Sequence, residues 1–401
     1  LLQEHFTVST IDVLSFGVAI AGRRMDDGLV VPGDLMDVRG LFAADPALPN
    51  GLSFEEIQLG QFLSEEITPA DWAALLAQTA HRIDSGESRG IVIGHGTDTL
   101  SYTASLMYWF FADSSVPVVL TASTVPTEDG GRGEAVENLR RAVHTAAGSE
   151  RGIHVVYGDD DFMPLNLKFE RTGTTAVPQM NLAGDSGDSA GENGSDTATP
   201  AGSAPTPAES TPAPTTDNRS VYQGALCNWN AGALHRGGRA LAQTARSLSR
   251  GELTERLERA ISRTFIAKVY PGMRGETLIA LMDAGIRYFV LEIYDTGTAN
   301  LRETPFSVRK ALSYGRERGV RFFCTSQQEG VVDFSEYVTG HQLWREGAIP
   351  MGSLTTESAW TRLIAAQLEA ESVQAGETES GATSTNDTFD EAVLRLMEDT
   401  E

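Results

Sequence analysis

The stretch Gly90-Ile-Val-Ile-Gly-His-Gly-Thr-Asp-Thr-Leu-Ser-Tyr-Thr-Ala104 decides how the chain is read. Its first five residues form a short apolar run with glycine at both ends, the pattern of a strand buried on both faces of a parallel sheet. From Thr99 to Phe111 apolar residues recur three and four apart, which predicts a helix. A strand running into a helix through His95-Gly-Thr-Asp-Thr puts that loop at the strand's carboxyl end, where open α/β sheets hold ligands. Gly96 lets the backbone approach a ligand closely. Thr97 and Asp98 supply a hydroxyl and a carboxylate, which can orient a water, hold an ammonium or join a proton relay. The same two side chains can instead cap the helix by bonding its free amides. His95 is expected to bond a loop carbonyl rather than act as a base.

Outward from this segment the pattern repeats. Phe6 to Ile20, Val116 to Thr121 and Gly152 to Tyr157 read as further buried strands. Thr68-Pro-Ala-Asp-Trp opens a helix with a threonine cap and proline at the first helical position. Gly133 to Ala147 carries another helical pattern. Strand–helix alternation implies an α/β protein with a doubly wound parallel sheet. A second α/β unit follows, with strands at 265–270, 288–293 and 321–325 and helices at 275–284, 305–318 and 356–368. The chain divides into an N-terminal domain (1–177), a low-complexity insert (178–218), a connection (219–262), a C-terminal domain (263–370) and an acidic tail (371–401). The insert is Gly, Ser, Ala, Thr, Pro and acid, too poor in large apolar residues to offset its ordering entropy, so disorder is expected there. A polar linker, Glu371 to Asp387, precedes Phe389 to Met397, a segment that suits either a docked helix or a frayed end.

Composition narrows the function classes. The 401 residues carry 55 Asp+Glu against 31 Lys+Arg, a net charge of −24, and only Lys168, Lys268 and Lys310 are lysines. No basic stripe offsets the acid, so direct nucleic-acid binding and an anionic membrane surface are not expected. No apolar run approaches the ~18 residues of a membrane span. The first residues show no signal-peptide pattern, and a cytoplasmic protein is expected. Acid excess with scarce lysine fits a salt-rich, archaeal-like cytoplasm; a high-GC genome, which favours Arg over Lys, is the alternative. Cys227 and Cys324 cannot build a disulfide framework or a zinc site, and the scattered histidines give no metal site. No cofactor is called for. Trp72, Trp109, Trp344 and Cys324 read as core residues, and the arginines from Arg236 to Arg263 as a solvated helix face balanced by Glu.

The segment Ile91 to Ala104 resembles the second active-site signature of bacterial-type asparaginases, a group that includes the D subunit of the archaeal glutamyl-tRNA amidotransferase. Other pieces fall in the same order: Phe62 to Trp72, Pro117 to Pro126, Asn138-Leu139, Val269-Tyr-Pro-Gly-Met273, Thr325-Ser-Gln327 and Gly347 to Pro350. The resemblance implies a two-domain asparaginase-like fold, with a larger N-terminal parallel-sheet domain and a smaller C-terminal α/β domain. It implies a homodimer or tetramer and an amino-acid amide as ligand. In this family a threonine attacks a side-chain amide, ammonia leaves, and water releases the acid; a second threonine with an Asp and a Lys moves protons. Thr97 and Asp98 match that second threonine and its Asp, Ser64 the serine that binds the α-carboxylate, and Glu65 a position where Gln is common. Asn300 resembles an Asn that reaches the neighbouring subunit's site.

Three positions depart from the pattern. The first signature, Thr-Gly-Gly-Thr-Ile-Ala in the family, reads Phe16-Gly-Val-Ala-Ile-Ala21, so the nucleophile position is Ala19, which has no hydroxyl. Residues 17–50 lack the tyrosine usual in the lid. The catalytic Lys aligns with Arg171, with Lys168 as the alternative, and Arg does not readily give up a proton. Ser15 lies four residues before Ala19, a shift too large for a catalytic group without rebuilding the site. The expectation is an asparaginase-family amidohydrolase scaffold that binds an Asn- or Gln-like ligand and hydrolyses it weakly or not at all. An active asparaginase using another hydroxyl, and a non-catalytic partner or subunit of a tRNA-dependent amidotransferase, are the alternatives.

Overall fold

A computed structural model describes residues 10–17, 22–27, 29–32, 37–42, 45–46, 48, 51–124, 133–148, 150–172, 175–180, 241–380 and 389–398. In the N-terminal part the strands are β1 (Thr10–Phe16), β2 (Gly22–Arg24), β3 (Val30–Pro32), β4 (Ser53–Gly60), β5 (Ser88–Gly96), β6 (Pro117–Ser123), β7 (Gly152–Tyr157) and β8 (Asp160–Phe162). Helices α1 (Val38–Phe42), α2 (Pro69–Ser85), α3 (Leu100–Phe111) and α4 (Glu134–Ala146) alternate with them. The main sheet has the order β4-β1-β5-β6-β7-β8, parallel except for β8, and β2 pairs with β3 as a small hairpin.

The register shows why the sheet is covered on both sides. Val13, Val92 and Val119 lie side by side and pack with Val38, Phe42, Leu139 and Val143 of α1 and α4. One residue on, Leu14, Ile93 and Leu120 lie side by side and enter a larger core with α2 and α3. Two buried faces explain the continuous apolar run in β5. Gly90 has a packing reason too: a Cβ there would lie 2.1 Å from the carbonyl oxygen of Ala146, so only glycine admits α4 this closely. Helix α2 begins as expected, with Pro69 at its first position and Asp71 accepting from the Thr68 amide at 2.9 Å.

The edge strand β4 was not expected. Its sequence, Ser-Phe-Glu-Glu-Ile-Gln-Leu-Gly, is too charged to read as a buried parallel strand, and at the sheet edge it does not have to be one. Strands β9 (Leu167–Thr172) and β10 (Thr175–Met180) form an antiparallel hairpin that runs past residue 177. The rest of the low-complexity stretch, from 181, lies outside the described residues, as does Cys227.

The C-terminal part opens with a helical turn at 241–247 and α5 (Arg250–Ser262), the latter capped reciprocally by Ser249 and Glu252. Strands β11 (Thr264–Lys268), β12 (Tyr288–Ile293), β13 (Arg321–Ser326) and β14 (Ala348–Pro350) form a parallel sheet in chain order. Helices α6 (Gly275–Asp283) and α7 (Arg309–Arg316) cover one face, around Phe289, Leu291, Phe322 and Cys324. Helix α8 (Val338–Arg345) precedes β14, and α9 (Thr356–Ser380) lies on the other face. The core of α9 joins that of α3: Trp109 Nε1 donates to Thr361 Oγ1 at 3.1 Å, and the Ser105 and Ser358 hydroxyls meet at 2.8 Å.

Two expectations are corrected. The polar linker from Glu371 is helical as far as Ser380, because α9 continues beyond the C-terminal sheet, where Glu371 pairs with Arg259 at 3.0 Å. Trp344 is 47% exposed rather than in the core. Helix α8 is only eight residues long and buries a single line, Gly340 and Leu343, with Trp344 beside it against His341. The terminal segment is a docked helix, α10 (Phe389–Glu398), with Val393 and Met397 buried and Asp390 bound to Arg263 at 3.0 Å.

Candidate functional site

The sheet changes direction at β1. From β1 the chain goes to β4 on one side, then crosses back to β5 on the other and continues to β6 and β7. Such a reversal opens a crevice at the strands' carboxyl ends. Three segments meet there. Strand β1 ends at Phe16, and the next residue, Gly17, has φ +78°, a left-handed conformation that favours glycine. A Cβ on Gly17 would lie 3.7 Å from Cα and Cβ of Ser64, so the end of β1 lies against the turn that follows β4. That turn, Ser64–Glu66, is held by the Leu63 amide donating to Glu66 at 2.9 Å. The third segment is the 3-10 turn Thr97–Thr99 after β5, and Thr99 Oγ1 donates to the Ser64 carbonyl at 2.8 Å.

The structure thus brings Ser64 next to the Thr97–Asp98 turn. Ser64 is buried, Thr97 half-buried and Asp98 exposed. The cap of α3 falls on Thr99, not on Thr97 or Asp98, and its hydroxyl goes to Ser64 rather than to a helix amide. Glu65 is exposed in its turn. Ala19 lies between β1 and β2, outside the described residues. Lys168 and Arg171 both fall on β9, opposite Gln179 and Ala176 of β10 in the register. Asn300 lies in the loop after β12 and is used locally: Nδ2 donates to the Phe306 carbonyl at 2.5 Å, and Oδ1 accepts from the Arg302 amide at 3.1 Å.

Under the crevice lies a chain of bonds that pattern reading missed. His95 is fully buried. Its Nδ1 is 2.7 Å from the Gly96 carbonyl and its Nε2 is 2.9 Å from Thr103 Oγ1. The indole of Trp72 donates to the same Thr103 oxygen at 3.0 Å. A carbonyl can only accept, so Nδ1 carries the proton and Nε2 accepts from Thr103. Burial pushes the imidazole pKa down to about 4, with the bond to Gly96 opposing the shift, so the ring is neutral near pH 7. The expected bond from His95 to a loop carbonyl is present. Its link through Thr103 to Trp72 joins positions far apart in sequence and leaves no local pattern.

The neighbouring strand ends are tied by α4. Glu134 accepts from Tyr157 at 2.6 Å, and from the Thr124 hydroxyl and amide at 2.8 and 3.1 Å. Asn138 donates to the Ala122 carbonyl at 2.8 Å and accepts from the Gly158 amide at 3.0 Å. These bonds fix the carboxyl ends of β6 and β7 beside the crevice. Among the described residues no three His, Cys, Asp or Glu are grouped to hold a metal, and no helix is long and apolar enough to cross a membrane.

Two family profiles match the chain. The profile described as "Asparaginase, N-terminal" matches residues 10–174, and that described as "Glutaminase/Asparaginase C-terminal domain" matches residues 263–375. The chain belongs to the asparaginase family. Among similar sequences, the D subunit of the glutamyl-tRNA(Gln) amidotransferase of Pyrococcus furiosus is 26% identical over 368 residues, covering 90% of this chain and 73% of that one. Its counterpart from Aeropyrum pernix is 26% identical over 355 residues, covering 88% and 73%. The fold is similar to that of the thermostable L-asparaginase from Thermococcus kodakarensis (TM-score 0.60, 21% identity, 97% of each chain). It is also similar to L-asparaginase I from Vibrio cholerae (TM-score 0.61, 18% identity, 97% of each chain).

Proposed function

We propose that this asparaginase-family chain is an amidohydrolase scaffold that binds an Asn- or Gln-like ligand and hydrolyses its side-chain amide weakly or not at all. The observation that carries this reading is the juxtaposition of Ser64 with Thr97–Asp98 in a chain whose nucleophile position is Ala19. Asp98 is exposed and suits an α-ammonium, and Ser64 a carboxylate. Thr97 stands where a proton-moving hydroxyl is needed, with Arg171, or Lys168, as its cationic partner. Glu65 and an Asn300 from a neighbouring subunit complete the ligand's surroundings. Alanine supplies no attacking oxygen, and loss of a nucleophile typically lowers kcat by a factor on the order of 10⁶.

One paired assay in molar KCl tests this. L-asparagine and L-glutamine are titrated calorimetrically, and ammonia is measured for the unaltered protein and for Ala19→Thr. Binding with little ammonia from the unaltered protein, and more from Ala19→Thr, supports the reading. Rapid ammonia release by the unaltered protein that disappears in Thr97→Ala overturns it in favour of an enzyme using another hydroxyl.

A second reading, a subunit of a tRNA-dependent amidotransferase, is favoured by the name of the relatives that span most of this chain. It predicts copurification with a second protein of different sequence. A homo-oligomer that binds asparagine by itself counts against it.

A further inference from the structure

Resting on that reading of the crevice, we propose that His95 is a positioning residue: it sets the peptide plane that carries Thr97 and Asp98, and it is itself oriented by Thr103 and Trp72. The bonds run in one direction. Trp72 donates to Thr103 (3.0 Å), Thr103 to Nε2 of His95 (2.9 Å), and Nδ1 of His95 to the Gly96 carbonyl (2.7 Å). The Gly96 carbonyl and the Thr97 amide belong to one planar trans unit and point in opposite directions. Pulling the carbonyl onto a fully buried imidazole therefore fixes the Thr97 amide on the far side and sets the start of the turn.

Several features fit this role better than ordinary core packing. The bonded groups come from β5, α3 and α2, so the ring is held from three elements. Phe16, just before Gly17, lies against the ring with centroids 5.4 Å apart, and Phe16 also packs on Phe62 beside the Ser64 turn. The imidazole thus touches β1, β5 and α3 directly, and Phe16 links it to the turn after β4. Glycine at 96 has no side chain to restrict its own φ and ψ, so the peptide plane needs an outside constraint. Protonation of the ring would put a second donor on Thr103, which already receives the Trp72 N–H, and would break the one-way order. A neutral histidine is the residue that can donate at Nδ1 and accept at Nε2 at once.

The two arms can be separated by substitution. His95→Asn keeps a donor near the Nδ1 position, and His95→Gln reaches only the Nε2 position. Three measurements are made on each full-length variant in molar KCl: amide hydrogen exchange of residues 96–99 without ligand, the urea midpoint, and calorimetric binding of L-asparagine. In His95→Gln the 96–99 amides should exchange at least tenfold faster than the change in global stability accounts for, and asparagine affinity should fall about tenfold. His95→Asn should restore both. If the two variants exchange alike at 96–99, or if loop exchange only follows the urea midpoint, His95 is a core residue and the proposal is overturned. Should His95→Gln not fold, Thr103→Ala takes its place: loss of the Nε2 anchor must raise exchange at 96–99 above the global rate. An unaltered protein that binds no asparagine sinks the functional reading, while the exchange comparison still decides the role of His95.

Discussion

The two ends of the central strands treat their carboxylates in opposite ways. At the amino ends, Asp12 of β1 is fully buried and takes two bonds from Arg82, at 2.8 and 2.6 Å, together with the hydroxyl of Ser88. Arg82 also holds Glu55 at 3.0 and 2.5 Å, and its hydrogen bond to Asp12 is the main cause that raises its pKa above an already high value. The buried pair is closed by the chain's own cation, which also reaches the half-exposed Glu55. At the carboxyl ends, Asp98 is exposed on the turn after β5, which is bonded through Thr99 to the Ser64 carbonyl. A buried charge has to be paired within the chain, whereas an exposed one can be left for a ligand. The difference separates an acid that builds the fold from one suited to binding.

The comparison can be broken in several places. The largest effect is expected at the closed end. Arg82→Met strands Asp12 without its cation and should cost about 3–5 kcal/mol in urea unfolding, with asparagine affinity in the remaining folded protein nearly unchanged. Next comes the buried histidine beneath the open end. Its folded pKa, about 4, lies below the ordinary 6.5, so the unfolded chain binds the extra proton between these values. Stability from this group is therefore complete above about pH 6.5 and is lost as pH falls toward 4, by on the order of 3 kcal/mol. Urea titrations of the unaltered protein and His95→Gln should differ in slope over that window, and equal slopes would remove the buried-neutral assignment.

At the open end itself, Asp98→Asn should weaken asparagine binding by about 1.5–3 kcal/mol, the worth of a charge-assisted hydrogen bond. Its urea midpoint should stay within about 0.5 kcal/mol of the unaltered protein, as for a surface substitution. A large loss of stability in Asp98→Asn would make the two ends alike. The smallest effect is expected away from both. Asp390→Ala removes a half-exposed pair with Arg263 and the bond from Tyr288, and should cost about 1 kcal/mol of unfolding free energy, weakening further in salt.

Legibility followed how local each signal was. Strand β5, the turn after it and α3 could be read from one continuous stretch, Gly90 to Phe111, because burial on both faces, a glycine loop and a 3.6-residue period are all written there. The cap of α2 was equally plain in Thr68-Pro-Ala-Asp. The edge strand β4 was hidden because a half-exposed strand tolerates Glu55 and Glu56, which break the apolar run. Trp344 misled for the opposite reason: its chemistry suggests a core, but the short α8 has no second buried line to receive it. The Asp12–Arg82 pair spans 70 residues and the Ser105–Ser358 contact 253, separations at which no spacing rule operates.

By itself the sequence determined the α/β class, the family motifs and the absence of a hydroxyl at residue 19, since each depends on residue identity or on periodicity within one element. It also supplied the acid that sets the overall charge. Only the tertiary structure decided which acids are spent inside the protein, that Ser64 meets the Thr97–Asp98 turn, and that His95 is bonded through Thr103 to Trp72. Those facts arise where β1, β4, β5, α2 and α3 converge. The order in which strands lie in the sheet, rather than their order in the chain, determines which side chains share a crevice.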